Sequence, residues 1–359
     1  MDIDNINYPA PKQEYKVLVR CFTFNHSKYI EDALNGFAMQ QTNFPFACLV
    51  VDDASTDGEQ EVIKAWMERE CDMSSAETID IPTSVVIIVP HKTNASCTFA
   101  FYLMKQNLYK AREEKMRHVT PWREKCEYEA LCEGDDYWID PLKLQKQVDV
   151  MENDRSVSMV YTKAKLYNQS KQQFVEEVGA YTTFEELLCN FNNGIPTASI
   201  IFRNKCYNEY KHEIDPQQYQ WKMGDYPLNL YLTMKYKVFM IDSLSVVYRI
   251  VANSASHSKN EEKLIPYYKS IFDIKKHYFE LASGSEDLRR KMCHHYLGFA
   301  YKLACRVSQE KVNSLIDEVY SYMPNHTIYQ KLIYKLIVKY RLPNFLRKII
   351  GTIYAKWSS

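Results

Sequence analysis

The sequence predicts an α/β fold built around a largely parallel sheet. Three observations carry that prediction. Short, nearly continuous apolar runs recur through the first half of the chain, helical runs separate them, and two of the apolar runs end in clustered acids. Strands apolar on both faces belong to a sheet covered on both sides, the setting of strand–helix–strand units.

"YKVLVRCF" (15–22) reads as the first buried strand, and "SKYIEDALNGFAMQQ" (27–41) as a helix with Tyr29, Ile30, Ala33, Leu34 and Phe37 on one side. "FACLVVDD" (46–53) is a second strand and "GEQEVIKAWMER" (58–69) a second helix. "SVVIIVP" (84–90) is a third strand, residues 98–117 read as helix, and "YEALCE" (128–133) is a fourth strand. Beyond Pro141 come a helix with proline at its start, a strand over 157–167, and a capping-box helix opened by Thr183 and Glu186. "GIPTASIIFR" is a turn into a strand, "WKMGDYPLNLYLTMKY" sets an acid before a helix, and 238–250 forms short strands. From about Glu261 the pattern is helical to the end, with breaks near Gly284, Ser308 and Pro324. This divides the chain into residues 1–255 and a helical region, 256–359.

In parallel sheets ligands sit beyond the carboxyl ends of the strands. Asp52 and Asp53 follow the second strand, and Glu133, Asp135 and Asp136 the fourth, so the two clusters are expected at one edge. One acidic turn would be an ordinary solvated turn. Two at one edge point to a ligand or metal site.

Composition limits the function. Of 359 residues, Lys+Arg and Asp+Glu number 45 each, so there is no basic excess for a nucleic-acid partner. The 10 cysteines form no CxxC pair, which argues against a zinc site and, with no signal peptide in view, points to reduced thiols and a cytoplasmic setting. No apolar stretch approaches the roughly 20 residues of a spanning helix.

Residues 14–252 resemble the family 2 glycosyltransferases. Four elements carry the resemblance, in order: the first strand with "CFTFNHSKYIEDAL", then "LVVDDASTDG", then "EGDDYWIDP" in place of that family's acidic DxD motif, then "MGDYP" in place of its catalytic acid. The resemblance implies a GT-A fold, a Rossmann-like mixed sheet flanked by helices. It implies inverting transfer of a sugar from a nucleoside-diphosphate donor, most often a UDP-sugar, to a saccharide or lipid-linked saccharide in surface-glycan synthesis. It also implies a divalent metal, Mg²⁺ or Mn²⁺, held by Asp135, Asp136 and Glu133, with Asp135 also on the donor. Hard cations prefer carboxylate and phosphate oxygens, and such an ion would cancel the repulsion among these acids. Asp52 or Asp53 would hold the nucleobase beside Thr23. Thr197 would face donor and acceptor or be an ordinary strand hydroxyl, and Asp225 would be the base that removes the acceptor proton. A helix N-cap is the structural alternative for Asp225, and the two roles are compatible. Tyr137 and Trp138 would stack on a sugar or pack in the core, and His257 would be a solvated loop histidine or sit in a loop that closes over the donor phosphates.

The departures are Glu133 in place of a first aspartate, Ala54 where that family often has glycine, and no glycine in "HKTNASCTF". No QxxRW motif is present, which argues against a processive synthase. A nucleotidyltransferase would want a glycine-rich basic loop after the first strand, and "CFTFNHSKY" has no glycine. A catalytically impaired GT-A scaffold is the remaining alternative. Finally, residues 319–359 hold seven Lys or Arg and no acid. Lys331, Lys335 and Lys339 share a helical face, with Leu332, Ile333, Leu336, Ile337 and Tyr340 expected away from it. That pattern suits contact between 326–359 and an anionic membrane, or packing on the domain.

Overall fold

Strand β1 (Tyr15–Thr23) sends Val17, Val19 and Cys21 into one core and Leu18 into another, because successive side chains leave a strand on opposite faces. Helix α1 (Ile30–Ala38) turns Ile30, Ala33, Leu34 and Phe37 inward, as its spacing predicts. β2 (Phe46–Asp52) is buried at every position, and α2 (Glu59–Glu70) buries Ile63, Trp66 and Met67. The structure is a computed structural model and describes residues 7–111, 114–190, 194–251, 260–304, 307, 309–340, 345–346, 349–350 and 353–354.

β3 (Glu77–Ile81) and β4 (Ser84–Pro90) form a hairpin whose β4 strand pairs antiparallel with β5 (Cys97–Met104). Here the sequence reading needs correction. Residues 98–117 are not one helix: β5 pairs in parallel with β2 from Phe46↔Cys97 to Asp52↔Leu103, and only α3 (Leu108–Ala111) and α4 (Met116–Arg123) are helical. Phe99, Phe101 and Tyr102 fit a buried pleated surface, and Phe99 packs edge-on against Trp66 at 5.0 Å. "HKTNASCTF" accordingly joins β4 to the start of β5, at the edge away from the acids.

The chain continues through β6 (Cys126–Leu131), β7 (Tyr137–Trp138), α5 (Lys143–Asn153), β8 (Val157–Asn168), β9 (Gln173–Val178) and α6 (Phe184–Cys189). Next come a 3₁₀ turn (Thr197–Ser199), β10 (Ile201–Arg203), α7 (Asn204–Glu213), α8 (Asp225–Lys235) and β11 (Lys237–Ile250). The strands of 238–250 are one long strand with irregular register against β8. The sheet order is β3-β4-β5-β2-β1-β6-β10-β8-β11-β7, with β9 on β8. β5, β2, β1 and β6 run parallel, and β10 runs against β6, so the sheet is mixed.

Two compact units result. The first comprises Met1–Ala180, Ile195–Glu213 and Tyr236–Val251, and holds the sheet. The second comprises Tyr181–Gly194, Ile214–Lys235 and Ala252–Ser359. The expected single division at 255/256 therefore lies close to the last crossing, and two earlier segments also go with the second unit. That unit contains α6, α8, α9 (Glu261–Leu281), α10 (Glu286–Leu303), α11 (Gln309–Tyr322) and α12 (Ile328–Tyr334). Gly284 and Pro324 fall between helices, while Ser308 and His257 lie outside the described residues. Helix α6 is closed at both ends. Thr183 and Glu186 form its capping box, and the buried Lys275 amine donates to the carbonyls of Leu187 (3.3 Å), Leu188 (2.5 Å) and Asn190 (2.5 Å). No helix among the described residues is long and apolar enough to cross a membrane.

Candidate functional site

Parallel pairing brings the carboxyl ends of β1, β2, β5 and β6 to one edge. Thr23 lies beside Asp52, and the loop after Leu131 runs back across β1. Three backbone bonds fix that crossing: Cys132 N–H to Arg20 O (3.1 Å), Gly134 N–H to Phe22 O (3.1 Å) and Asp53 N–H to Thr23 O (3.0 Å). Both acidic clusters thus share an edge.

Within the 133–136 loop, Asp136 N–H bonds Glu133 O at 3.1 Å. The Asp136 side chain is buried, and its Oδ1 accepts from the Arg249 backbone N–H at 2.8 Å. Burial, then the charges of Asp135 and Glu133, raise its carboxyl well above the ordinary range. Asp135 turns its side chain toward His26, with Oδ2 3.8 Å from Nε2. Its carbonyl accepts from Arg249 Nη1 at 2.8 Å. The Arg249 guanidinium also pairs with Asp32 of α1 and lies 4.3 Å over the Tyr137 ring. Register with β7 places Arg249 there, since Val247 pairs with Tyr137.

Thr23 is buried and engaged. Its hydroxyl donates to Glu59 Oε1 and lies 3.1 Å from His26 Nδ1. Glu59 Oε2 in turn accepts from His26 N–H and from the Ser55 hydroxyl, each at 2.8 Å. Burial raises the Glu59 carboxyl despite these donors. Asn25 Oδ1 accepts from Thr56 N–H at 2.8 Å, tying the loop after β1 to the turn after β2.

The two aspartates after β2 differ. Asp53 uses both oxygens, accepting from Leu108 N–H at 2.6 Å and pairing with Lys115 at 2.7 Å. Asp52 Oδ2 accepts from Gln60 Nε2 (2.5 Å) and Ser55 N–H (3.2 Å), while its buried Oδ1 has no hydrogen-bond partner. A cleft of ≈ 780 Å³ opens beside this turn, lined by Ala54, Ser55, Thr56, Gln60 and Asn107 among others.

Thr197 begins the 3₁₀ turn and is half-buried. Trp138 is buried and donates from Nε1 to Ala198 O at 2.7 Å, which makes it a core residue. Asp225 belongs to the second unit, where it opens α8 and its Oδ1 accepts from Tyr226 N–H at 2.8 Å. A helix start suits a carboxylate. The Tyr226 hydroxyl donates to Leu187 O at 2.8 Å and holds that start in place. Burial and then the Asp225 charge push the Tyr267 phenol up.

Among the described residues no three His, Cys, Asp or Glu side chains converge as a ready metal cage. Asp135 and Asp136 fit a looser role, because Mg²⁺ and Mn²⁺ are often held by one or two carboxylates together with substrate phosphates. Sequence reading missed Arg249, Glu59 and His26. Arg249 is one basic residue at the end of a long strand, and Glu59 reads as an ordinary acid in a helix's first turn.

Residues 21–75, which span Thr23, His26, Asp52 and Glu59, match the family profile described as Glycosyl transferase family 2. The chain is similar, over that stretch, to glycosyl transferase family 2. Uncharacterized proteins of Mycobacterium bovis and Mycobacterium tuberculosis are 33% identical to it over 139 residues, 39% of this chain and 32% of theirs. The chain spans about a third of the length of these curated relatives. S. aureus TarS is 12% identical, with a TM-score of 0.54 over 95% of this chain and 55% of that one. The crystal structure of S. aureus TarS 1-349 in complex with UDP-GlcNAc gives 12% identity and a TM-score of 0.51 over 95% and 90% of the two chains. At that identity the likeness is one of fold, and the chain has the mixed α/β GT-A architecture.

Proposed function

We propose that the protein is an inverting glycosyltransferase that moves a sugar from a nucleoside-diphosphate sugar, a UDP-sugar, to a hydroxyl of a saccharide or lipid-linked saccharide in surface-glycan synthesis, working at the cytoplasmic side of a membrane. The observation that carries the reading is the meeting of the Asp135–Asp136 loop, Arg249 and the Asp52 turn at one sheet edge, in a chain whose residues 21–75 match glycosyl transferase family 2. The UDP-GlcNAc named for the TarS structure is a donor of this class.

In this reading Asp52 takes the nucleobase rather than Asp53, since an acceptor oxygen without a partner is what a ring N–H would satisfy. Thr23 positions His26 and Glu59 beneath the donor, and Thr197 lies near the transferred sugar. Asp135 and Asp136, with Glu133 close by, would hold Mg²⁺ or Mn²⁺ against the diphosphate. When bound, that ion neutralises charge on the departing nucleoside diphosphate. Asp225 accepts the acceptor's proton as the new C–O bond forms on the face opposite the breaking bond to phosphate.

The test is calorimetric titration of UDP, GDP, dTDP and CMP with Mn²⁺ and with chelator. UDP alone, and only with metal, should bind. If no nucleotide binds to folded protein, the chain is a GT-A scaffold and the catalytic reading fails.

A further inference from the structure

The C-terminal tail offers two different faces. α12 continues as a π-helical stretch, Lys335–Lys339. One face is seated on the second unit: Ile333 and Ile337 are buried, the Tyr334 hydroxyl donates to Asp317 at 2.6 Å, and the Tyr320 and Tyr334 rings stack at 4.0 Å. Gln330 Nε2 lies 3.2 Å from His294 Nδ1 on α10. The tail is therefore packed on the helices, one of the two alternatives the sequence posed.

Packing does not account for the apolar side chains that remain exposed in and after α12. Ile328 is 88% exposed, Leu332 52%, Tyr340 67%, Phe345 64% and Ile349 52%. Lys331, Lys335 and Lys339 are exposed among them. Leu332 and Tyr340 thus lie with the lysines, whereas Ile333 and Ile337 turn inward. Seven of the fifteen large apolar side chains exposed among the described residues fall between 328 and 353. Single exposed apolar groups are ordinary, but a concentration of this kind marks an interaction surface.

We propose that this face docks on an anionic lipid membrane, with Ile328, Leu332, Phe345 and Ile349 entering the acyl boundary and the lysines at the phosphates. Charge selects the occupant. The chain has net charge zero, yet from residue 319 onward it holds seven basic residues and no acid. A two-fold pairing of this face with a second copy would set lysine against lysine. An apolar stripe flanked by lysines is the arrangement that seats a helix in an acidic interface. The helical unit would then be a rigid platform rather than a loose anchor. The proposal shares with the preceding reading its lipid-linked acceptor and its membrane setting.

The experiment is co-sedimentation of the full chain with phosphatidylcholine vesicles, with and without phosphatidylglycerol. Binding should require phosphatidylglycerol and weaken at least about ten-fold at high salt. The triple variants Ile328→Ser/Leu332→Ser/Phe345→Ser and Lys331→Glu/Lys335→Glu/Lys339→Glu should each lose about ten-fold or more in affinity, with unchanged thermal unfolding. Failure of the folded protein to bind, or binding indifferent to both variants, overturns the proposal. So does a dimer in light scattering that the serine variant alone abolishes, which would make a second copy the occupant. UDP titration of the same samples separates this outcome from failure of the glycosyltransferase reading.

Discussion

Gly134 lies so close to Thr23 that a Cβ on it would stand 2.1 Å from Thr23 Oγ1 and 2.6 Å from Thr23 Cβ. The acidic loop can cross β1 only because this position has no side chain. Gly134→Ala must displace either the loop or the Thr23–Glu59 pair. Overpacking of this kind costs about 1–3 kcal/mol. Thermal unfolding should fall accordingly, and calorimetry should show donor affinity reduced at least about ten-fold. Wild-type affinity in the variant would mean that the loop does not place the donor.

Ala54 stands with φ at +55°, in the left-handed region where a Cβ crowds the following carbonyl. The family's usual glycine has no such crowding. Ala54→Gly should therefore raise stability by up to about 1 kcal/mol, the strain relieved less the chain entropy glycine loses on folding. Chemical denaturation measures it, and a loss of stability would show that the turn does not strain Ala54.

Arg249 braces the acidic loop at two points, the Asp136 carboxylate and the Asp135 carbonyl, and its guanidinium also pairs with Asp32 of α1. Arg249→Met retains the backbone N–H bond and removes the other two. Transfer should fall about ten- to a hundred-fold in kcat/KM, because a misplaced donor loses alignment. Asp32→Asn, half exposed, should cost far less. Equal losses in the two variants would place the importance in the ion pair instead.

Asp225→Asn should leave UDP binding intact and reduce transfer by about 10²–10⁴, the usual contribution of a positioned base. The amide can still accept from Tyr226 N–H, so the start of α8 survives. Undiminished turnover would remove Asp225 from the reaction and leave it a helix-start residue.

The Lys143 amine is buried, bonded to Gln147 Oε1 at 2.8 Å and set 4.0 Å over the Trp138 ring. Burial brings it down to about 7, against 10.5 ordinarily. A base whose folded pKa is lowered binds fewer protons folded than unfolded, so between about pH 7 and 10.5 its contribution to stability grows as pH rises. Lys143→Met removes that growth. From pH 7 to about 8.5, below unfolded-thiol titration, the wild-type slope should exceed the variant's by up to about 1.4 kcal/mol per pH unit. Parallel curves would mean the amine stays charged.

What was legible in the sequence depended on locality. β1, β2 and their acids follow from runs of apolar residues and their ends, and α1 from its spacing. β5 was read as helix because "CTFAFYLM" is apolar at both periods, and only its pairing with β2 decides the matter. The roles of Asp52 and Asp53 could not be separated either: what distinguishes them is Leu108 and Lys115, more than fifty residues downstream. Arg249 was invisible for the same reason, since its partners Asp32 and Asp136 lie 217 and 113 residues away. The Asp225 motif stood out in sequence because its chemistry and its helix start are contiguous.

The buried amine that closes α6 also orders events in time. Lys275 lies 85 to 88 residues beyond the carbonyls it seals. As the chain leaves the ribosome, the 181–194 segment therefore emerges long before α9 can meet it. The sheet unit's strands through β8 are complete by then, so this short helix must wait with its carbonyls in water. Closure of the helical unit is a late, long-range step. A chain stalled or cut before residue 275 would carry a finished set of parallel strands and an unsealed helix.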